Sequence, residues 1–132
     1  MSTFDVLKEE DRNDIDSRLI DYHLVEHDPV KVAPKIYKVL LENDRVRVLK
    51  VRLKPGKKSP MHSHPAYVIY ALSTCKVRFT LPDGKTKEVK MKAGETAWSD
   101  AESHVVDNIG STEVHVLNIE LKELDKKRNN PR

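Results

Sequence analysis

The chain has 132 residues, of which 38% are hydrophobic and 34% charged, and its formal net charge is +3. This length suits one ordinary domain, and this composition is that of a globular protein and excludes a disordered or fibrous one. The one cysteine, Cys75, cannot form an internal disulfide or a thiolate cluster, so any metal site must use histidine and oxygen ligands.

The composition of the two ends favours neither a membrane nor a nucleic-acid partner. The N-terminus has no apolar signal region, and no apolar run approaches the roughly 20 residues that span a bilayer, so we expect a cytoplasmic protein. Residues 122–132 are rich in lysine and arginine, but no aromatic residues interleave with them. A solvated basic tail is therefore expected there, and a surface on which bases could stack is not.

The first part of the chain is polar and predicts little regular structure. Ile15, Leu19 and Tyr22 recur at helical spacing and predict a short helix. Pro29 and Pro34 exclude a continuous helix after it, so the chain around them is predicted to be extended or turned. The expected N-terminal extension thus consists of a short helix followed by an extended arm.

From Lys35 onward, short runs rich in β-branched and aromatic residues alternate with turn signals. The runs are K-I-Y-K-V-L-L-E-N, R-V-R-V-L-K-V-R-L, Y-V-I-Y-A-L, K-V-R-F-T-L, K-T-K-E-V-K-M and E-V-H-V-L-N-I-E-L. The turn signal Pro82-Asp83-Gly84 predicts a hairpin between two of them. This pattern predicts one all-β sandwich or barrel over residues 35–121, with residues 1–34 as an extension and residues 122–132 as a tail.

Two histidines stand close together in the segment P-M-H-S-H-P, residues 60–65. Side chains alternate across a strand, so His62 and His64 point the same way, with Cα atoms roughly 6 to 7 Å apart. Two imidazoles at this distance can converge on one ion. Two histidines on a half-exposed strand would show the same pattern, so a metal site needs a third ligand from elsewhere.

The best candidate for the third ligand is His104, at the start of another predicted strand that a closed barrel can bring beside the pair. His23 and His27 lie in the polar extension and are predicted to be exposed. The alternation of its strand gives no way to place His115 near His62.

Two segments resemble the signature motifs of the cupin superfamily: P-G-K-K-S-P-M-H-S-H-P-A-Y-V-I-Y-A-L and A-G-E-T-A-W-S-D-A-E-S-H-V-V-D-N-I-G. The matching positions are Gly56, His62 and His64 in the first motif and Gly94, His104 and Asn108 in the second. The resemblance covers about residues 35–121. It implies a double-stranded β-helix, or jelly-roll barrel, with the three histidines facing the lumen around a divalent metal, and it implies a homodimer.

The chain departs from the first motif at its glutamate. That position falls on Val68, with Tyr67 and Ile69 beside it, so no carboxylate is available there. Three neutral imidazoles leave the charge of the ion near +2, which favours an anionic or bidentate oxygen ligand. Six-coordinate iron(II) would keep three positions for a chelating substrate and dioxygen, and four-coordinate zinc would keep one for water. Nickel, manganese and copper are compatible with these ligands as well.

The set of three histidines resembles that of thiol dioxygenases and diketone-cleaving dioxygenases among the cupins. This resemblance implies a non-haem iron dioxygenase, an oxidoreductase acting on a small anionic or chelating compound. The alternatives are a non-oxidative cupin, such as an isomerase or hydratase of a sugar or keto acid, and a metal- or ligand-binding protein without catalysis. The candidate arginines for a substrate carboxylate are Arg47, Arg52 and Arg78.

Alternation along one predicted strand suggests a catalytic residue. If Val68 faces the metal, Tyr70 and Leu72 face the same way, and the Tyr70 hydroxyl could donate a hydrogen bond to a bound oxygen. A core aromatic is the alternative reading of Tyr70. Metal-bound histidines usually donate their second N–H to an oxygen acceptor. The nearby carboxylates that could accept it are Asp100, Glu102 and Asp107.

Overall fold

The computed structural model describes residues 27–122, which form a short helix followed by nine β-strands. In chain order these are α1 (Pro29–Val32), β1 (Tyr37–Glu42), β2 (Val46–Leu53), β3 (His62–His64), β4 (Tyr67–Ala71), β5 (Cys75–Thr80), β6 (Thr86–Met91), β7 (Thr96–Ser99), β8 (Glu102–Asn108) and β9 (Val114–Leu121). The all-β prediction is confirmed.

The strands form two antiparallel sheets. One has five strands in the order β1-β2-β9-β4-β7, and the other has four in the order β3-β8-β5-β6. Burial alternates strictly along β9, where every second residue is buried, as expected for a strand with one face against a core. The core is built from these inward positions of both sheets. Its buried apolar members include Leu49, Val51, Leu53, Val77, Val106, Val114 and Val116.

The predicted hairpin joins β5 to β6. Thr80 is paired with Thr86 next to the turn. Gly84 has a φ of +90°, a backbone conformation that favours glycine, and the Lys85 N–H donates to Asp83 Oδ1 at 3.0 Å. Turn chemistry read from the sequence therefore predicts this connection correctly.

The segment around the two prolines differs from the prediction of an extended or turned chain. Pro29 begins the single helical turn α1, because proline is tolerated at the first position of a helix, where its missing N–H is not needed. Asp28 caps this turn by accepting the Val30 N–H at 3.1 Å. The helix predicted around Ile15 and Leu19 and the basic tail lie outside the described residues. Residues 27–122 contain no helix long and apolar enough to cross a membrane.

Candidate metal centre

The three histidines singled out by the sequence meet on the inner face of the four-stranded sheet. His62 is directly opposite His104 in the pairing of β3 with β8, and alternation along β3 places His64 on the same face. Ser63, between the two, points to the other face and bonds Ser103 at 2.6 Å. All three imidazoles are buried, and one ring nitrogen from each lies within 4.8 Å of the other two.

Main-chain and hydroxyl groups orient the His62 ring. Its Nδ1 lies 2.9 Å from the carbonyl oxygen of Pro60 and 3.3 Å from Ser59 Oγ. A carbonyl only accepts hydrogen bonds, so the ring proton is on Nδ1 and the lone pair is on Nε2. That lone pair accepts a hydrogen bond from the Tyr37 hydroxyl at 2.9 Å.

Carboxylates orient the other two rings in the same sense. His64 Nδ1 donates to Glu120 Oε2 at 2.6 Å, and His104 Nδ1 donates to Glu102 Oε1 at 2.9 Å. Because carboxylates accept these bonds, Nε2 of each ring is left as the free ligand atom. All three imidazoles thus have the tautomer that a metal bound through Nε2 requires.

One of the three carboxylates predicted to accept a hydrogen bond from a ligand histidine does so. Glu102, one of the three carboxylates proposed from sequence, holds His104. Asp100 instead accepts the indole N–H of Trp98 at 3.0 Å. Asp107 lies one position away from the inward-facing residues of β8, beside Arg78 in the pairing with β5. The Glu120 acceptor was not anticipated.

Burial keeps two of the imidazoles neutral. The pKa of His62 falls to about 3, mainly because burial disfavours the charged ring and because His64 is near. The pKa of His104 falls to about 4, again mainly through burial, which outweighs the bond to Glu102. Neutral rings with their lone pairs available are the form that binds a divalent ion. The donor set therefore fits such an ion at neutral pH.

A buried chain of charged groups supports His64. Glu120 is 0% exposed and its second oxygen, Oε1, accepts from Nε of Arg47 at 2.9 Å. Arg47 in turn donates to both carboxylate oxygens of Asp28, at 3.0 and 3.3 Å. One feature of the sequence indicates that these charged side chains are buried. Glu120 and Asn118 occupy inward positions of an otherwise apolar strand face.

Two tyrosines face the centre, and Tyr70 is not one of them. Tyr37 and Tyr67 are buried and line the cavity beside the histidines. Tyr70 is 37% exposed on the outer face of β4, so the prediction that its side chain faces the metal is wrong. The error is one of phase, because Tyr67, Ile69 and Ala71 point inward and Val68 points outward with Tyr70.

The inner faces enclose a cavity of about 60 Å³ next to His64 and His104. Its wall is mostly aliphatic and aromatic, with Tyr37, Tyr67 and Asn118 as the main polar groups besides the histidines. An open cleft of about 340 Å³ shares Tyr67 and several apolar residues with this cavity. Residues of both sheets line this cleft, including Lys87 and Trp98.

None of the three candidate arginines lines the cavity. Arg47 is buried but bound to Asp28 and Glu120, whereas Arg52 and Arg78 pair with Glu113 and Glu88 near the surface. The ends of these guanidinium groups are thus engaged with carboxylates of the chain itself. The expectation that an arginine meets a substrate carboxylate has no support from their positions.

Comparisons with known proteins agree with this architecture. No protein-family model and no curated protein matches the sequence. A cupin domain from Bordetella pertussis Tohama I is 28% identical, with a TM-score of 0.60, over 66% of this chain and 92% of that one. An RmlC-like cupin family protein with a double-stranded β-helix fold, from Methanocaldococcus jannaschii, is 20% identical with a TM-score of 0.53, over 72% and 85% of the two chains. The chain therefore has the double-stranded β-helix fold of these cupin proteins.

Proposed function

We propose that the protein binds one divalent metal ion through His62, His64 and His104 and acts as a dioxygenase of a small compound. The proposal rests on one observation. Each buried imidazole donates its Nδ1–H to an oxygen acceptor, so the three Nε2 lone pairs are directed into one space. Iron(II) suits this role because it leaves positions open for dioxygen and substrate. Zinc, nickel, manganese and copper can compete for the same nitrogens.

The groups around the cavity favour oxygen chemistry over an isomerase or hydratase. Those reactions need a general acid or base whose pKa lies near neutrality. Burial raises the pKa of Tyr37 and of Tyr67 above the usual range, so both phenols stay protonated. Glu120 and Glu102 already accept bonds from histidines and from cationic side chains. A dioxygenase whose substrate supplies all four electrons places both oxygen atoms in the product and needs no external reductant.

The cavity limits the substrate. Its volume of about 60 Å³ would hold about four to six water-sized groups. No lysine or arginine lines it among the described residues, so an anionic end of a substrate would be neutralised by the ion itself. We therefore expect a substrate with a chelating group at the metal and a short apolar remainder against the aliphatic wall. A longer remainder would extend into the open cleft.

A metal- or ligand-binding protein without catalysis is the second candidate. The small, mostly apolar cavity favours it, because few polar groups are available to orient a substrate. Such a protein would be stabilised by its ligand and would form no product.

The first experiment measures metal in the full chain purified without a histidine tag. We expect nearly one divalent ion per chain, and loss of most of it in His104→Ala. His115→Ala is the matched control, because His115 lies on the outward-facing side of β9 and should leave the metal content unchanged. Equal metal content in wild type and His104→Ala would contradict the proposed ligand set.

The second experiment tests the reaction. The iron(II)-loaded protein is placed in an oxygen electrode with a panel of small thiols, diketones and keto acids. We expect oxygen uptake matched by product in a one-to-one ratio. Turnover without oxygen, with zinc or nickel as effective as iron, would show a non-oxidative enzyme. Ligand-induced stabilisation without product would show the binding protein.

A further inference from the structure

We propose that Glu120 supplies, through His64, the carboxylate charge that the metal centre lacks among its direct ligands, and that Arg47 and Asp28 hold it in place. This inference rests on the proposed metal centre. We call the chain of Asp28, Arg47 and Glu120 the charged tether. It would set the orientation and basicity of His64 and so the affinity for the ion.

The geometry leaves the Glu120 carboxylate no freedom. One oxygen accepts from His64 Nδ1 at 2.6 Å, and the other accepts from Arg47 at 2.9 Å. Both partners have side chains no more than 4% exposed, so solvent does not compete with either bond. Short hydrogen bonds to a charged acceptor in such surroundings are strong and directional. The His64 ring therefore has one orientation and one tautomer.

The position of Glu120 explains how a carboxylate reaches the site without the usual motif. The motif glutamate would lie on β4, where Ile69 faces the cavity and Val68 faces outward. Glu120 lies on the adjacent strand β9, opposite Tyr67 in the pairing with β4. Its carboxylate therefore comes from the neighbouring strand of the same sheet and bonds to the imidazole of His64, not to the ion.

The net charge of the tether equals the single negative charge of a ligating glutamate. Asp28 and Glu120 are each negative and Arg47 is positive, which leaves one net negative charge next to His64. That charge offsets half of the charge of a divalent ion at short range, where low polarity strengthens the interaction. Asp28 is part of this balance through its bonds to Arg47, and it also caps α1.

The test measures the dissociation constants of Zn²⁺ and Co²⁺ by competition with a chromophoric chelator. Glu120→Gln keeps the shape of the side chain and removes its charge, and we expect binding about 10- to 100-fold weaker. Asp28→Asn keeps the cap of α1 and makes the tether neutral, and we expect a smaller loss, about 3- to 10-fold. The Co²⁺ absorption spectrum should change in Glu120→Gln, because the His64 donor is altered.

Two controls separate this role from a purely structural one. Glu113→Gln removes the partner of Arg52 near the surface and should leave metal affinity unchanged. The melting temperature of each metal-free variant shows whether it folds, and if Glu120→Gln does not, Asp28→Asn decides. Wild-type affinity in folded Asp28→Asn and Glu120→Gln would overturn the inference. A wild-type protein that binds no metal would instead overturn the proposed function.

Discussion

The four-stranded and five-stranded sheets contribute different kinds of group to the candidate metal centre. The four-stranded sheet provides all three histidines from the neighbouring strands β3 and β8. The five-stranded sheet provides Tyr37, Arg47 and Glu120, which reach partners 25 to 73 positions away in the chain. The donor atoms thus come from one local strand pair, whereas much of their orientation depends on contacts across the core. Ligand identity and ligand orientation can therefore be changed separately.

The largest expected effect comes from removing a donor from the four-stranded sheet. In His64→Ala the ion loses one of its three nitrogens, and we expect the zinc dissociation constant to rise by more than about 100-fold. That exceeds the roughly 10- to 100-fold effects of groups that only support a ligand. Isothermal titration calorimetry measures it. Ser63→Ala, on the same strand with its side chain on the other face, should bind zinc like wild type. A similar loss in both variants would show disruption of β3 instead of loss of a ligand.

The donors were readable from the sequence because they depend on short-range spacing. The repeat of His62 and His64 fixes one face of β3, and the second motif marks His104, whereas Glu102 was only one of three candidate acceptors. The hairpin at Asp83-Gly84 was readable for the same reason, since its turn chemistry is local.

The supporting groups were not readable, because they depend on long-range pairing and strand phase. The run Y-V-I-Y-A-L is apolar at both phases, so hydrophobic alternation could not decide whether Tyr67 or Tyr70 points inward. Arg47 and Glu120 come together only because β2 and β9 are neighbours in the sheet, opposite each other in register. No spacing in the sequence predicts that these two strands pair.

The next effect concerns the stability of the metal-free protein against pH. The folded-state pKa values of His62, about 3, and of His104, about 4, lie below the ordinary value of 6.5. Between about pH 6.5 and pH 4 the unfolded chain therefore binds more protons than the folded one. The free energy of unfolding should fall as the pH is lowered through this window, by about 1.4 kcal/mol per pH unit for each histidine, and these two should contribute no slope above it.

Urea unfolding of the metal-free protein at a series of pH values measures this slope. His104→Gln, which cannot titrate, should show a slope smaller by about one proton than that of wild type. An unchanged slope in this variant would mean that His104 is not kept neutral by the fold.

A smaller effect of opposite sign is expected from the five-stranded sheet. In the metal-free protein the Tyr37 hydroxyl donates to Nε2 of His62, the same atom that the ion needs. Metal binding must break this bond, whose net worth is about 0.5 to 1.5 kcal/mol. Tyr37→Phe should therefore bind zinc about 2- to 10-fold more tightly, while Glu120→Gln binds it more weakly. Calorimetric titration of both variants compares them. Weaker binding in Tyr37→Phe would show that the hydroxyl assists the ion instead of competing with it.

The smallest effect is expected from Tyr70→Phe, which separates the two tyrosines by the face on which they lie. Tyr70 is one-third exposed on the outer side of β4, opposite Leu117 of β9, and its hydroxyl is remote from the cavity lining. Losing this hydroxyl should change the free energy of unfolding by less than about 0.5 kcal/mol and leave zinc affinity and oxygen uptake at wild-type values. The same substitution at Tyr37 removes the same atom on the inner side of the same sheet and should change metal affinity. A loss of oxygen uptake in Tyr70→Phe would require the outer face of this sheet to take part in the reaction, and would reverse the assignment of chemistry to the inner face.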